Sequence, residues 1–435
     1  MSKKLVVVVT ALVACVALAP EGSARGYRSA TRWLGHGVGL TSIVDPSGPY
    51  RIKVLSVKLD RKSTIDVALS NNVLPDFETT SSMARRHGAL AAINGDYAQP
   101  DGRPVYGFAE DGWLAQTPSG WGRNFALDQT ETAAFVGHGK LHVTATYAET
   151  GLDHAVDRVN AGPPSSAEIA AYTRAGGLLE RPPLNACAAR LRPLAVPAAS
   201  AVDGVDLLAQ VEKSRCSATG MRLRGGIVLA TPAVGKRAPE LTELVAGQQV
   251  GFRWTFGWPG VMDAIGGNPN LVENGGIVVG ASSVPFYRRH PRTGVGVTAD
   301  GRALLVTVDG RHAGYSVGMT PRRFGRLFVS LGAEWAINLD GGGSTTMYAE
   351  GKIRNRPSDG SERAVSSALL VLPGPDQPPP FSPPRRAGGS GSGDAARALV
   401  TDPASTGGLA DALAADGRLP ETLRSVAGAF DRAER

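Results

Sequence analysis

Cysteine, aromatic residues and long runs of one charge are all scarce in this chain. It has 435 residues, of which 3 are cysteine and 6% are aromatic, so a small disulfide-dense scaffold is excluded. The formal net charge is +7, but the arginines are scattered and no basic run contains interleaved aromatics. We therefore expect no nucleic-acid partner, and an anionic substrate or a cell-wall polymer accounts for the charge equally well.

Apolar runs long enough to cross a bilayer are also lacking near the N-terminus. The apolar run at residues 5–18 falls short of the roughly 20 residues that a membrane-spanning helix needs, and it follows two lysines. This pattern predicts a signal peptide at residues 1–24, a secreted protein, and no transmembrane helix in the mature form. A lipid anchor at Cys15 is the alternative, because the residues "LVAC" resemble a bacterial lipobox, but the apolar residues after Cys15 disfavour it.

Two cysteines, Cys187 and Cys216, remain once the signal peptide is removed. An exported chain with two cysteines favours a disulfide between them, and two buried free thiols are the alternative. Their spacing and the lack of nearby histidine clusters make a zinc site a poor fit, so the sequence leaves the presence of any metal site unknown.

What is abundant is apolar sequence, at 42% of residues against 20% charged, which is the balance of a globular protein with a sizeable core. We predict an α+β fold of mixed β-sheets with βαβ units and flanking helices, forming one large catalytic domain with an inserted middle segment. The predicted divisions are a lead segment at 25–47, the domain at 48–373 with a variable insertion or lid at about 147–250, a Pro/Gly/Ser linker at 374–394, and a tail at 395–435 that could be helical.

One helix is signalled most clearly, by "TPRRFGRLFVSLG" at residues 320–332, with Thr320 as its cap and an apolar stripe along one face. A strand ending at Asp309 precedes this helix and a strand ending at Asp340 follows it. That order predicts a βαβ unit whose parallel strands bring Asp309 and Asp340 to the same sheet edge. The alternative for Asp309 is a simple Asp-Gly turn.

A short internal repeat singles out two further positions. "HGALAAINGD" at 87–96 aligns without gaps to "LGAEWAINLD" at 331–340, with Asn94 matching Asn338 and Asp96 matching Asp340. The functional interpretation is two similar units that each deliver an asparagine and an aspartate. The alternative is coincidence between two alanine-rich segments.

The second copy runs into three glycines and three hydroxyl residues, "DGGGSTT". Successive backbone N–H groups of a glycine turn can form an anion-binding nest, although a mobile turn is the alternative. The stretch is neither a Walker A loop nor a dinucleotide fingerprint. Arg292 and Thr293, in "RHPRTGVGVTADG", are candidate phosphate ligands, since an arginine fork binds phosphate in a bidentate way; an ordinary surface loop is the alternative.

Six stretches in this order, "AINGDY", "IGGNPNLVENGG", "RHPRTGVGVTADG", "VTVDGR", "AINLDGGGSTTM" and "ERAVSSALLVL", resemble the phosphodiester glycosidase family. The resemblance runs from about residue 46 to residue 373 and is weakest in the middle. Position 96 is Asp here, where many relatives carry an aromatic residue or glycine. The family pattern falls on Asn94, Gly95, Asp96, Arg292, Thr293, Gly294, Asp309, Gly310, Asp340, Gly341, Gly342, Gly343, Ser344, Thr345 and Arg363.

The resemblance implies hydrolysis of a sugar-1-phosphodiester, or of a phosphate-containing glycan polymer, at the anomeric carbon–oxygen bond. Asp340, Asp309 and Asp96 are then the candidate catalytic residues. No cofactor is expected with certainty, and a divalent cation such as calcium is an option. The alternatives are a non-catalytic cell-wall glycan-binding module and a metal-dependent phosphodiesterase with the three aspartates as ligands. The candidate substrate-binding residues are Asn94, Arg292, Thr293, Gly341, Gly342, Gly343, Ser344, Thr345 and Arg363.

Overall fold

The computed structural model describes residues 28–60, 62–118, 123–127, 133–137, 141–178, 181–194, 207–224, 226–258 and 261–374. Within these ranges the chain is mostly β-sheet, with three α-helices: α1 Thr80–Arg86, α2 Ala238–Thr242 and α3 Pro321–Ser330. The strands of the same ranges are β1 Arg28–Gly35, β2 Val38–Asp45, β3 Tyr50–Lys58, β4 Ser63–Leu69, β5 Glu78–Thr79, β6 Ala91–Asn94, β7 Phe108–Glu110, β8 Trp113–Gln116, β9 Arg123–Leu127, β10 Ala134–Gly137, β11 His142–Tyr147, β12 Leu152–Ala155, β13 Arg158–Val159, β14 Ala170–Tyr172, β15 Ala186–Pro193, β16 Leu207–Ser217, β17 Ile227–Pro232, β18 Gln249–Thr255, β19 Ala264–Gly267, β20 Asn270–Glu273, β21 Gly276–Ile277, β22 Arg292–Thr298, β23 Arg302–Val308, β24 Ala333–Asn338, β25 Met347–Ala349, β26 Lys352–Ile353, β27 Ala364–Val365 and β28 Ser367–Pro373.

Two stacked sheets carry both copies of the repeat. The first has eight strands in the order β1-β2-β3-β23-β22-β24-β20-β21, and the second has five in the order β26-β25-β6-β28-β4. Alternating side chains of both sheets, such as Leu55 and Ile337 from the first and Ile93 and Leu369 from the second, share one buried cluster. The two repeat strands, β6 and β24, therefore lie in facing sheets.

A helix covers the outer face of each stacked sheet. Phe324 and Phe328 of α3 pack with Ile52 and Val306 of the first sheet, while Met83 of α1 packs against the second. The cap predicted for α3 is present, because the Thr320 side chain accepts a hydrogen bond from the Arg323 N–H. The result is a four-layered arrangement of helix, sheet, sheet and helix.

The predicted βαβ unit is wrong in its pairing. Strands β23 and β24 do not pair with each other, because β22 lies between them and is antiparallel to both. Two antiparallel steps still leave β23 and β24 pointing the same way, so their carboxyl ends reach the same sheet edge. β22 comes before β23 in the chain. Its place between β23 and β24 depends on contacts that are distant in sequence, so the order of elements along the chain could not reveal it.

The middle segment forms a sheet of its own, with eight strands in the order β12-β11-β18-β16-β15-β17-β14-β13. Its single parallel pair among the described strands, β13 with β14, makes it a mixed sheet. A disulfide joins Cys187 and Cys216, which face each other on the adjacent strands β15 and β16. A further five-stranded sheet, in the order β10-β9-β19-β7-β8, shares buried residues with both neighbours.

The remaining divisions of the chain fall largely outside the described residues. The signal peptide with Cys15, the linker after Gly374 and the tail at 395–435 are among them. Residues 28–45 of the lead segment form β1 and β2, which extend the first sheet beyond β3. In the described part of the chain, no helix is both long and apolar enough to cross a membrane.

Candidate active site

The two copies of the repeat meet at one asparagine. The buried Asn94 side chain donates to the backbone oxygen of Asp340 at 2.8 Å, and its Oδ1 accepts from the Thr293 hydroxyl at 2.7 Å and from the Thr346 N–H at 3.1 Å. The Asp340 N–H in turn donates to the backbone oxygen of Gly95, the residue after Asn94, at 3.2 Å. Asn94 therefore ties both sheets to the backbone that carries Asp340.

Asp340 is partly exposed to solvent. Burial raises its pKa to about 6, although hydrogen bonds from the Ser344 side chain and the Gly341 N–H and the charges of Arg363 and Arg311 lower it. An acid of this pKa changes its ionisation close to neutral pH, as general acids and bases in active sites do. Asp340 thus has the electrostatic setting expected of a catalytic carboxyl group.

Two arginines lie over the glycine turn that follows Asp340. A Cβ atom at Gly343 would collide with Arg363 Nη2 and Asp359 Oδ2, and one at Gly342 would lie 3.0 Å from Arg311 Nη2. Arg363 is buried and ion-paired with Asp359. The glycines are therefore required so that two guanidinium groups can approach the turn, and these groups place positive charge beside Asp340.

Arg311 has a backbone conformation that supports a role at this site. Its φ of 61° is in the left-handed region, which costs a non-glycine residue about 1–2 kcal/mol. Such strained residues concentrate at functional sites. Together with its position over Gly342, this makes Arg311 a candidate anion ligand.

Most N–H groups of the predicted anion-binding nest already donate hydrogen bonds within the protein. The N–H groups of Gly342, Ser344 and Thr345 donate to backbone oxygens, and that of Gly341 donates to Asp340. Since these donors already have partners, the turn is better described as a support for Asp340 than as a cradle of free amides. The hydroxyl Oγ1 of Thr345 is buried without a hydrogen-bond partner among the described residues, and it remains a candidate for substrate contact.

Arg292 is held differently from a surface phosphate ligand. Its guanidinium is fully buried and donates to the backbone oxygens of Met319, Phe286 and Arg288, and it lies 4.7 Å from the centre of the Phe286 ring. Burial lowers the pKa of Arg292 to about 10. Through these hydrogen bonds the Arg292 side chain holds the loop before β22 in place. This structural role is at odds with the prediction that Arg292 binds phosphate.

Asp96 is also committed to the fold. It is 1% exposed, and its two carboxylate oxygens accept from the N–H groups of Tyr97 and Tyr106, each at 2.6 Å. Burial raises the pKa of Asp96 well above its usual range, and the nearby Asp340 adds to the rise. Asp96 is thus an electrostatic neighbour of Asp340 whose oxygens have backbone partners.

Asp309 lies at the same sheet edge but has its own partners. Its carboxylate accepts from the Arg356 N–H at 3.0 Å and from the Asn355 side chain, and burial raises its pKa. Asn355 in turn donates to the Thr345 oxygen at 2.9 Å. Asp309 therefore connects to the glycine turn through Asn355.

The metal-dependent alternative lacks a ligand set of the predicted kind. Across the described ranges, no three His, Cys, Asp or Glu side chains are grouped so that they could hold a metal ion. Asp96, Asp309 and Asp340 consequently do not form a shared three-carboxylate site, because the first two are turned to separate backbone partners.

Sequence reasoning missed three residues of this site: Arg311, Asn355 and Asp359. Arg311 directly follows Asp309-Gly310 in the motif "VTVDGR", so its proximity to that motif was a usable signal. Asn355 and Asp359 lie in a loop without regular structure and carry no recognisable pattern. Only the folded chain brings them to Thr345 and Arg363.

Comparison with known proteins agrees with the resemblance. Residues 200–372 match the model of the family described as phosphodiester glycosidase, a range that contains Asp309, Asp340 and Arg363. A stretch of 83 residues is 45% identical to YomE, an uncharacterized SPbeta prophage-derived protein of Bacillus subtilis strain 168. That stretch is 19% of this chain and spans only 13% of the relative.

Solved structures support the fold alone. A hypothetical protein from Synechocystis is 19% identical, with a TM-score of 0.64 over 79% of this chain and 63% of its own, so this chain spans less than two thirds of that neighbour. A Burkholderia pseudomallei K96243 protein, named as a proposed exported protein, is 24% identical, with a TM-score of 0.54 over 75% of this chain and 74% of its own.

Proposed function

We propose that this protein is a secreted glycosidase that hydrolyses a sugar-1-phosphodiester. Water attacks the anomeric carbon, the bond from that carbon to the phosphate oxygen breaks, and free sugar and a phosphomonoester are released. The family match over residues 200–372 supports phosphodiester glycosidase chemistry in general. The finer statement rests on the site around Asp340.

One observation carries the proposal: a carboxyl group of raised pKa lies beside two guanidinium groups at the end of a sheet. Asp340 has a pKa of about 6, with Arg363 and Arg311 close enough to influence it. Glycoside hydrolysis needs a carboxyl group at the anomeric centre, and phosphate release needs positive charge at the leaving group. The arrangement supplies both within a few side chains.

Each residue then has a distinct task. The ionised Asp340 takes a proton from the attacking water, and Arg363 and Arg311 stabilise the charge on the departing phosphate. A phosphate ester leaves readily as an anion, so a strong general acid is less necessary than in ordinary glycosidases. Asn94 and Ser344 position Asp340 through its backbone oxygen and its carboxylate respectively.

The proposal is tested by incubating the purified protein with a panel of sugar-1-phosphodiesters that vary the sugar and the anomer, and assaying both products. We expect free reducing sugar with an equal amount of phosphomonoester. Release of sugar-1-phosphate would indicate a phosphodiesterase instead. Tight binding without turnover would indicate a glycan-binding module, and either result would overturn the proposal.

A further inference from the structure

A second basic group lies around Asp309. We call it the Tyr315 cluster, defined by Arg51, Lys53, Asp309, Tyr315 and Arg356. The guanidinium carbons of Arg51 and Arg356 lie 4.9 Å and 5.2 Å from the centre of the Tyr315 ring. One aromatic ring thus holds two like charges close together, an arrangement that is favourable when an anion binds between them.

The Tyr315 cluster has more positive than negative charge. Within the described residues, neither Arg51 nor Arg356 forms an ion pair with a carboxylate, and Lys53 bonds to the Ser42 hydroxyl at 2.8 Å. Asp309 is the carboxylate of the cluster, and it accepts hydrogen bonds from the Asn355 side chain, the Arg356 N–H and the Tyr315 hydroxyl. Burial lowers the pKa of Lys53, as the charges of Arg354 and Arg51 also do, while Asp309 raises it.

The position of the cluster is fixed by backbone contacts. The Asp309 N–H donates to the Arg51 oxygen at 2.9 Å, the Arg51 N–H donates to the Ser316 hydroxyl at 3.0 Å, and that hydroxyl donates to the Asp309 oxygen at 2.6 Å. Together with the bond from the Arg356 N–H to the Asp309 carboxylate, these contacts fix the backbone from which Arg51 and Arg356 reach Tyr315.

The cluster is also connected to the reacting site by short paths. Asn355 contacts Asp309 on one side and the Thr345 oxygen on the other, at 2.9 Å. Arg311 is two residues after Asp309 and reaches over Gly342. These links place the Tyr315 cluster next to the turn that Arg311 covers.

From these contacts we infer that the Tyr315 cluster binds a second anionic group, carried by the part of the substrate beyond the scissile phosphate. The inference rests on the proposed function for its orientation. It narrows the substrate class to chains with repeated phosphodiesters, or to phosphodiesters whose leaving group bears another phosphate. A neutral leaving group would offer the two arginines no negative charge to bind.

The test compares two substrates built on the sugar that the wild-type protein hydrolyses best. In the first substrate the leaving group is methyl phosphate. In the second, the phosphate is esterified to ethylene glycol, whose other hydroxyl group carries a second phosphate. We expect Arg51→Gln and Arg356→Gln each to lower kcat/KM for the doubly charged substrate by about tenfold, the worth of one charge-assisted hydrogen bond, and to change the methyl substrate less than twofold.

Arg323→Gln is the matched control, because Arg323 of α3 lies 4.7 Å from the centre of the Tyr50 ring in a similar cation–π contact that does not involve the Tyr315 ring. It should leave both substrates unchanged. Equal losses on both substrates in the Arg51 and Arg356 variants, or no loss on either, would overturn the inference.

A binding measurement separates failure of the inference from failure of the proposed function. If neither substrate is hydrolysed, a glycerol-phosphate trimer is titrated into the wild-type, Arg51→Gln, Arg356→Gln and Arg323→Gln proteins by calorimetry. Binding that weakens about tenfold in the first two variants and not in the third would support the anion site without the hydrolysis. Absent binding, or equal binding by all four proteins, would overturn the inference.

Discussion

The two aspartates of the internal repeat, Asp96 and Asp340, come after similar residues in sequence yet have opposite surroundings. Asp96 is closed in by the N–H groups of Tyr97 and Tyr106 and is nearly inaccessible. Asp340 is partly open and lies near Arg363. The residues on the carboxyl side of each aspartate decide the difference: a bulky Tyr-containing loop folds over the first, and a glycine turn leaves room beside the second.

A carboxyl group becomes available for chemistry when it keeps some exposure to solvent and cations are close. A buried carboxylate that accepts several backbone N–H groups is fixed in place and contributes to folding. Asp340 has the Gly341 N–H and the Ser344 side chain as partners and is partly exposed to solvent. Substitutions at both aspartates and at Arg363, together with the pH dependence of the rate, test this contrast.

Asp340→Asn should have the largest effect. The substitution keeps the size of the side chain but removes the ionisable group, so we expect kcat on an activated sugar-1-phosphodiester to fall about 10³-fold or more while the fold persists. Steady-state kinetics with a circular dichroism spectrum as the folding control would check it. Turnover near the wild-type level in a correctly folded protein would remove Asp340 from the mechanism.

The pH dependence of the wild type should follow the Asp340 ionisation. Because the ionised form is the proposed base, kcat/KM should rise about tenfold per pH unit below about 6 and level off above it. The profile is measured with a substrate whose phosphate does not titrate in this range. A rate that falls as the pH rises through 6 would assign Asp340 the role of an acid.

Arg363→Gln should weaken leaving-group stabilisation. Removing one charge-assisted contact to the phosphate predicts a loss of about 10- to 100-fold in kcat/KM. Because Arg363 lowers the pKa of Asp340, the acid limb of the pH profile should also move to higher pH. The exposed Arg326→Gln on α3 is the control, and it should change neither quantity. Loss of rate without any shift of the limb would indicate that Arg363 acts away from Asp340.

Asp96→Asn should affect stability more than rate. An amide leaves one of the two N–H groups, of Tyr97 or Tyr106, facing an NH₂ donor, which predicts a loss of about 1–3 kcal/mol in the free energy of unfolding. Urea denaturation measures this loss, and kcat per folded molecule should change only a few-fold. A rate loss as large as that of Asp340→Asn would make Asp96 a catalytic group and break the contrast.

Much of the scaffold could be predicted from local sequence signals. Thr320 and Gly332 bound α3 as expected, because capping and glycine termination are local effects. The pairing of β24 with β22 could not be predicted, since it depends on contacts distant in sequence. The middle sheet was hidden for another reason: the Ala-rich composition of strands such as β15 obscures their strand signal.

The site was predictable in its centre and not in its surroundings. Asp340, Asn94 and the glycine turn stand out in the sequence, whereas the fate of Arg292 depends on which backbone oxygens surround it in the fold. Residue type shows what a guanidinium can bind but not where it points. That is why the phosphate-binding role passes from Arg292 to Arg363 and Arg311 in our proposal.

The most direct test of the account is the position of bond cleavage. Hydrolysis of a sugar-1-phosphodiester in water enriched in oxygen-18, with mass spectrometry of the released phosphomonoester, shows which atom the water attacks. Attack at the anomeric carbon predicts a phosphomonoester free of the label, and this reaction should be lost in Asp340→Asn. Label in the phosphomonoester would show attack at phosphorus and contradict the glycosidase assignment.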